Sequence, residues 1–255
     1  MKIKTIIIGI IVALGLSSCS TELKLANRFV NDSHAIRAAV YFPEEAKVTL
    51  VQSESGDYTK VLDSLDQNAF LDIMYAAYAE ELRSFGVDVY IPDDPDHVMV
   101  DSMNWLVVYS QVEIQGRITP YKEQFYDMVN EYEFTVPLNT VNVASWFDIS
   151  DGEWLPTLFD EYNLMEDYEP RIDYKGGSLS FQYDIDTLTM ADVYNYSVLL
   201  GKRYADFTHS AMMNRFVKAQ MLKENAKPRF KMRWDPHEEV YYLLEDEEGF
   251  IELEP

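Results

Sequence analysis

The single cysteine of this chain, Cys19 among 255 residues, most constrains how the chain can fold. Without a second cysteine no disulfide can form within the chain, so a folded domain must be held by packing alone. Hydrophobic residues make up 47% of the sequence, which is enough for a sizeable core. We therefore expect a domain whose stability comes from a large apolar interior.

Cys19 also ends a segment with the features of an export signal. Two lysines, Lys2 and Lys4, begin the chain, residues 5–16 are apolar, and two serines precede the cysteine. A bilayer-spanning helix needs about 20 apolar residues, so this run is too short to cross a membrane. The sequence predicts a signal peptide over residues 1–18. An ordinary secretory signal with a chance cysteine is the alternative.

The tetrapeptide Leu16-Ser17-Ser18-Cys19 resembles the lipobox of bacterial lipoproteins. This resemblance implies lipid attachment at Cys19 and a membrane contact through that lipid. Ser20 stands where an aspartate would retain such a protein in the inner membrane, so the resemblance implies the outer membrane. We expect the periplasmic face rather than the cell surface, and we expect residues 19–34 to form a lipidated tether.

The charge of the chain excludes one class of partner and suggests another. A formal net charge of −23 would be repelled by phosphate backbones, so we expect no nucleic-acid partner. No polybasic run follows Cys19, so anchoring would depend on the lipid.

Positive charge is concentrated near the end of the chain. Residues 202–233 hold nine Lys or Arg residues against Asp206 and Glu224. Seven of these cations form a predicted basic strip for binding an acidic partner: Lys202, Arg203, Arg215, Lys218, Arg229, Lys231 and Arg233. Alternatively, acids of the same chain could neutralise the strip, from the twelve-acid block at 127–173 or from the acidic tail beyond His237.

Two segments have helical periodicity. Apolar residues recur at intervals of three and four over 63–85, where Asp63, Ser64 or Asp66 can cap the start and Gly86 can end the helix. The same period runs over 189–222, after the possible cap Thr189. Small residues at 197, 201 and 205 predict that this second helix lies close against a sheet.

Strand patterns surround the helices. Segments 35–42, 46–52 and 87–91 flank the first helix and suggest a βαβ unit. Longer runs follow at 105–118, where Gly116 suggests a bulge, and at 132–149, and hairpins are predicted at 170–186 and 228–244. We predict an α/β fold, with α+β as the alternative: a mixed, largely antiparallel sheet packed by two main helices with added hairpins. Residues 35–255 should form a single globular domain.

The sequence lacks several well-known enzyme motifs. It contains no nucleophile elbow, phosphate-binding loop or zinc-protease helix, and its four histidines are far apart. We expect no catalytic residues, no metal site and no cofactor. The favoured function is a non-enzymatic scaffold or accessory subunit that binds another envelope protein. The alternatives are carbohydrate or cell-wall binding, with Trp146 and Trp154 as exposed aromatics, and a hydrolase whose site, around His97 or His209, forms only in the fold.

The order of elements, ending in Leu199-Leu200-Gly201-Lys202-Arg203-Tyr204-Ala205-Asp206, resembles two groups of envelope proteins. These are the amino-terminal domain of the Tol–Pal propeller protein and the curli-secretion lipoproteins. The likeness covers residues 35–222 and implies an α/β domain with a late helix against its sheet. It carries no functional residue over to this chain.

Overall fold

The structure is a computed structural model that describes residues 21–94, 97–126, 130–175, 178–244 and 251–253. The predicted signal peptide at 1–18, the predicted lipid site Cys19 and residues 245–250 and 254–255 of the acidic tail lie outside the described residues. Among those that are described, no helix has an apolar stretch sufficient to cross a membrane.

The fold includes the segment that was predicted to be a tether. Residues 21–32 form a helix, α1, and a short 3-10 turn follows at Ser33–Ala35. Ala26 and Phe29 of α1 are buried and belong to the hydrophobic core. The prediction of a tether over 19–34 is therefore wrong for most of its length, because an apolar side of α1 packs on the domain.

The main sheet is mixed, as predicted. Its seven strands are β1 (Arg37–Tyr41), β2 (Lys47–Leu50), β3 (Asp88–Tyr90), β4 (Asn104–Tyr126), β5 (Glu131–Ser150), β6 (Thr157–Met165) and β11 (Ile251–Leu253). The order is β11-β6-β5-β4-β1-β3, and β2 also pairs with β4. Strand β1 pairs in parallel with β3 and β4, and β2 pairs in parallel with β4. The pairs β4–β5, β5–β6 and β6–β11 are antiparallel. The predicted βαβ unit is confirmed, since β1 and β3 are parallel neighbours on either side of the first long helix in the chain.

That helix, α2, spans Gln67–Ser84, and the second long helix, α3, spans Met190–Lys223. The Asp66 carboxylate accepts hydrogen bonds from two N–H groups at the start of α2, and Thr189 forms a capping box with Asp192 at the start of α3. Gly86 ends α2 with φ of +92°, as predicted. Both helices cover one face of the sheet, because Tyr109 of β4 contacts Tyr78 of α2 and Tyr204 of α3.

The central small residue of α3, Gly201, lies against α2 rather than against the sheet. A methyl group built on Gly201 would come within 2.3 Å of the Met74 carbonyl oxygen and 3.0 Å of the Tyr78 backbone nitrogen. The predicted close packing is confirmed, but the sheet was the wrong packing partner. The periodicity of a helix shows which residues share a face, and it does not show which neighbouring element that face contacts.

Gly116 has a different role from the predicted bulge. The register shift in β4 lies between Tyr109 and Gln111, whereas Gly116 stays in register opposite Val141. A methyl group at Gly116 would come within 2.7 Å of Thr59 and 2.9 Å of Leu62. This glycine therefore makes room for the segment before α2 to pack over the sheet.

Both predicted hairpins are confirmed. Strands β7 (Asp167–Lys175) and β8 (Ser178–Asp186) pair with each other, as do β9 (Lys231–Asp235) and β10 (Val240–Leu244). Met232 of β9 is buried. The side-chain amide of Asn214 in α3 donates a hydrogen bond to the Met232 carbonyl and accepts one from the Met232 N–H, both at 2.8 Å. The second hairpin is thereby fixed to the outer side of α3.

Candidate functional site

Acids of this chain form ion pairs with at least four cations of the predicted basic strip. Arg203 Nε lies 3.5 Å from Asp160 Oδ2, and Arg233 Nε lies 2.8 Å from Asp206 Oδ2. Arg215 contacts Asp151 at 3.0 Å and Glu153 at 2.6 Å, and Lys202 lies 3.9 Å from Glu81. The side chains of Lys218, Arg229 and Lys231 are exposed. At those four positions the strip is neutralised by acids of this chain, three of which come from the block at 127–173.

Three strip residues line an open cleft of about 230 Å³ between the helices and the β9–β10 hairpin. These are Lys202, Arg203 and Arg233, and three acids, Glu81, Asp206 and Asp235, line the same cleft. The wall also includes Trp234 and His237. Because three carboxylates accompany the three cations, the cleft does not present the single positive field that an acidic partner would require.

Two carboxylates of this network are buried enough to hold protons more tightly than usual. Burial raises the pKa of Asp206 to about 6, although Arg233 acts in the opposite direction. Burial likewise raises the pKa of Asp160 to about 6 against the charge of Arg203. One oxygen of each carboxylate, Oδ1 of Asp206 and Oδ2 of Asp160, has no hydrogen-bond donor among the described residues. A perturbed carboxylate beside a cleft is a feature of active sites and also of structural ion pairs.

The guanidinium of Arg203 joins Asp160 to a group of aromatic rings. It lies 4.1 Å from the ring centroid of Tyr162 and 4.8 Å from that of Phe207. Because the guanidinium lies close to both rings and is paired with Asp160, Arg203 stabilises the contact of α3 with β6. This environment explains why Asp160, in the middle of a strand, is buried.

The two histidines considered for a hydrolase lie outside this cleft. His97 is exposed and contacts Asp94 at 2.7 Å. His209 is fully buried, stacks on Phe85 with 4.4 Å between ring centroids, and lies 5.5 Å from Phe29. Burial lowers the pKa of His209 to about 3, and neither ring nitrogen has a hydrogen-bond partner among the described residues. The ring therefore acts in packing.

The tryptophans do not form a shared platform for a sugar. Trp105 is buried, Trp146 packs against Phe159 with 4.9 Å between centroids, and Trp234 packs against Tyr241 at 4.6 Å. Trp154 is 61% exposed, as the sequence predicted. In the described part of the chain, no three His, Cys, Asp or Glu side chains come together as metal ligands would.

A surface that the sequence did not identify extends from the sheet. Strands β4 and β5 continue to pair up to Tyr126 and Glu131, whereas β6 pairs with β5 only over Thr140–Phe147. Residues 119–126 and 131–138 thus form a two-stranded extension roughly 25 Å long at the usual rise per residue. We call this extension, together with the β7–β8 hairpin, the β arm.

The hairpin packs on the extension and makes it a two-layered structure. Phe134 of β5 stacks on Phe181 of β8, and the rings of Tyr121 and Tyr168 lie 5.6 Å apart. The Tyr168 hydroxyl donates a hydrogen bond to Glu123. Val136 and Leu138, at the base of the extension, are fully buried. These contacts hold the β7–β8 hairpin on the two-stranded extension.

The outer surface of the β arm is acidic and carries exposed apolar groups. Tyr126 is 63% exposed, and Tyr121, Ile172 and Tyr183 are also exposed. Exposed acids surround them, among them Glu131, Asp167, Glu169, Asp173 and Asp186. Tyrosine is enriched at protein interfaces because it combines a large apolar ring with a polar hydroxyl. The arrangement fits a surface that binds a basic protein segment.

Comparison with known proteins assigns no family to this chain. The sequence matches no protein-family model and no curated protein. The fold that the structure establishes is α/β, with a mixed sheet and two separate hairpins.

Proposed function

We propose that this protein is a lipoprotein of the outer membrane, anchored through Cys19, that binds another envelope protein and catalyses no reaction. The β arm is the observation that supports protein binding. It extends two strands beyond the main sheet, and it presents exposed tyrosines on an acidic surface. The lipobox resemblance supports the anchor.

The partner surface in this proposal differs from the basic strip predicted from sequence. Arg203, Arg215 and Arg233 already hold carboxylates, so a partner would have to break ion pairs to use them. The β arm has few such internal pairs, of which the described ones join Lys122 to Glu133 and Arg171 to Asp184. A partner with a basic segment can therefore bind the remaining acids of the β arm without breaking ion pairs within this protein.

Photo-cross-linking in intact envelopes tests the protein-binding part. A photoreactive phenylalanine analogue replaces Tyr126 or Tyr183 on the arm, and Trp154, exposed but off the arm, serves as the matched control. We expect a discrete cross-linked neighbour from the two arm positions and none from position 154. Equal products from all three positions would contradict the arm as the binding surface. Turnover of a wall polymer by the purified protein would contradict the non-enzymatic function.

Fatty-acid labelling of growing cells tests the anchor. Wild-type protein should incorporate labelled palmitate, and the Cys19→Ala variant should not. Equal labelling of both proteins would show that Cys19 is not the site of acylation.

A further inference from the structure

The start of α1 lies beside the segment that follows α3. Phe29 contacts His209 and Phe216 of α3, with 5.5 Å and 5.6 Å between ring centroids. Two helical turns earlier, the buried carboxylate of Glu22 accepts a hydrogen bond of 2.6 Å from the Arg229 backbone N–H. Helix α1 therefore runs antiparallel to the second half of α3, and Thr21 lies at the end of the domain that carries residues 222–230.

This end of the domain is basic in an otherwise acidic protein. Its exposed cations come from three separate parts of the sequence: Lys24, Lys218, Lys223, Lys227 and Arg229. None of these five forms an ion pair with any residue in the described part of the chain, in contrast to Lys202, Arg203, Arg215 and Arg233. Glu224 is the exposed acid among them.

Exposed apolar side chains accompany the cations. Leu222 is 50% exposed, Phe230 is 42% exposed and Leu23 is 39% exposed. Leu222 and Lys223 are neighbours at the end of α3, and Phe230 follows Arg229. Apolar groups mixed with Lys and Arg are the composition of segments that lie at a membrane interface, where rings and aliphatic chains enter the headgroup region.

We propose that this surface, formed by Leu23, Lys24, Lys218, Leu222, Lys223, Lys227, Arg229 and Phe230, docks on the membrane. We call it the anchor-side surface, and its partner is a bilayer surface that carries anionic phospholipid headgroups. The inference deepens the proposed function, because the lipid on Cys19 would enter the bilayer only two residues before Thr21. Two residues of extended chain span roughly 7 Å, so an anchored domain must meet the headgroups with this end.

Charge supports the same orientation. The chain has a formal net charge of −23, so an anionic membrane repels most of its surface. The five cations of the anchor-side surface are attracted to the same membrane, and the attraction decreases with distance over a Debye length. The sequence directly after Cys19 has no polybasic run, but the fold supplies one from residues about 200 positions later.

Site-specific fluorescence on the acylated protein tests the proposal. Because acylation blocks Cys19, an introduced cysteine is the only free thiol, so Leu222→Cys and Phe230→Cys can each carry one environment-sensitive dye. Tyr126→Cys, an exposed position on the β arm, is the matched control, and labelled wild-type protein gives the background. Each protein is reconstituted into vesicles of phosphatidylcholine with or without phosphatidylglycerol.

In the vesicles with phosphatidylglycerol, we expect blue-shifted emission and quenching by brominated lipid at positions 222 and 230 and not at position 126. The double variant Lys227→Glu/Arg229→Glu should lower this quenching severalfold, and both substituted residues are exposed, so the fold should persist. Acylated protein that floats with the vesicles but gives the same emission at positions 222, 230 and 126 would overturn the proposed docking surface. That result would leave the proposed lipid anchor intact.

A second measurement separates the two proposals if the wild-type protein proves not to be acylated. The full-length Cys19→Ala chain keeps its signal segment, so flotation with phosphatidylglycerol vesicles is compared with and without Lys227→Glu/Arg229→Glu. The difference in flotation between the two chains measures the contribution of Lys227 and Arg229 alone. We expect the double substitution to lower vesicle binding at least about tenfold at low salt and much less at high salt. Equal flotation of both chains at low salt would overturn the inference.

Discussion

The carboxylate of Glu166 accepts hydrogen bonds from both the backbone and the side chain of Asn139, at 2.7 Å and 2.9 Å. Glu166 also accepts a bond of 3.3 Å from the Leu188 backbone N–H, and its own N–H donates to the Asn139 carbonyl at 3.0 Å. One buried side chain therefore joins the base of the β arm to the segment that begins α3. Its position between β6 and β7 fixes where the β7–β8 hairpin leaves the sheet.

We predict that Glu166→Ala destabilises the protein by about 1–3 kcal/mol, because it leaves buried N–H groups at residues 139 and 188 without acceptors. The matched control is Glu169→Ala, an exposed acid on β7, which should change stability by less than about 0.5 kcal/mol. Urea unfolding measures both, and hydrogen exchange should show faster exchange in the arm of the Glu166→Ala variant. Equal stability of the two variants would show that the hydrogen bonds of Glu166 do not stabilise the fold.

The contact of Gly201 with α2 gives a second prediction. An exposed Gly→Ala change in a helix gains about 1 kcal/mol, but here the added methyl group meets the Met74 carbonyl at 2.3 Å. We therefore expect Gly201→Ala to lower the free energy of unfolding by about 1–3 kcal/mol through overpacking. Asn195→Ala, at an exposed position of the same helix, should be neutral or slightly stabilising. A Gly201→Ala protein more stable than wild type would contradict the close approach of the two helices.

A third prediction concerns acid stability. Because the pKa of His209 falls from 6.5 to about 3 on folding, the unfolded chain binds a proton between these values that the folded chain does not. His209 thus costs the folded state nothing above pH 6.5 and destabilises it progressively as the pH falls. His209→Phe, which keeps the ring that stacks on Phe85, should be more stable than wild type at pH 4 by a few kcal/mol. The two proteins should agree within about 1 kcal/mol at pH 8. Parallel stability–pH curves would contradict this.

The fourth prediction has the opposite sign. Burial raises the pKa of Asp160 from 3.8 to about 6, so the folded protein holds a proton that the unfolded chain has lost. The contribution of Asp160 to stability therefore falls as the pH rises from about 4 to about 6. Relative to wild type, Asp160→Asn should gain about 2 kcal/mol or less across that window. Glu161→Gln, at the exposed neighbouring position of β6, is the control.

Periodic patterns predicted most of the fold because they reflect which side of an element faces the core. Phe70 of α2 and Tyr204 of α3, both placed on apolar stripes, are fully buried. The alternation at 132–138 gave the correct face of β5, where Val136 and Leu138 are buried. Strand β6 was missed because Asp160 and Glu161 interrupt its alternation, and the burial of Asp160 depends on Arg203 from a distant helix.

The surfaces were harder to predict than the core. A run of cations in the sequence does not show which acids the fold brings to it, so the strip from Lys202 to Arg233 gave no indication that Arg215 would meet Asp151. The β arm depends on one strand pair extending past its neighbour, which is a property of register between distant segments. The anchor-side surface likewise combines residues near the start of the chain with residues near its end.

The hydrogen bond between Glu22 and Arg229 spans 207 positions, and this separation affects the order in which the domain can fold. During synthesis α1 is made first, but the surfaces on which Phe29 and Glu22 pack are made almost last. Contacts between such distant segments form late because a long loop must close before they are gained. Under the proposed lipid attachment at Cys19, the segment next to this cysteine should therefore remain open to processing enzymes until nearly all of the chain has been made, and only then pack on the finished domain.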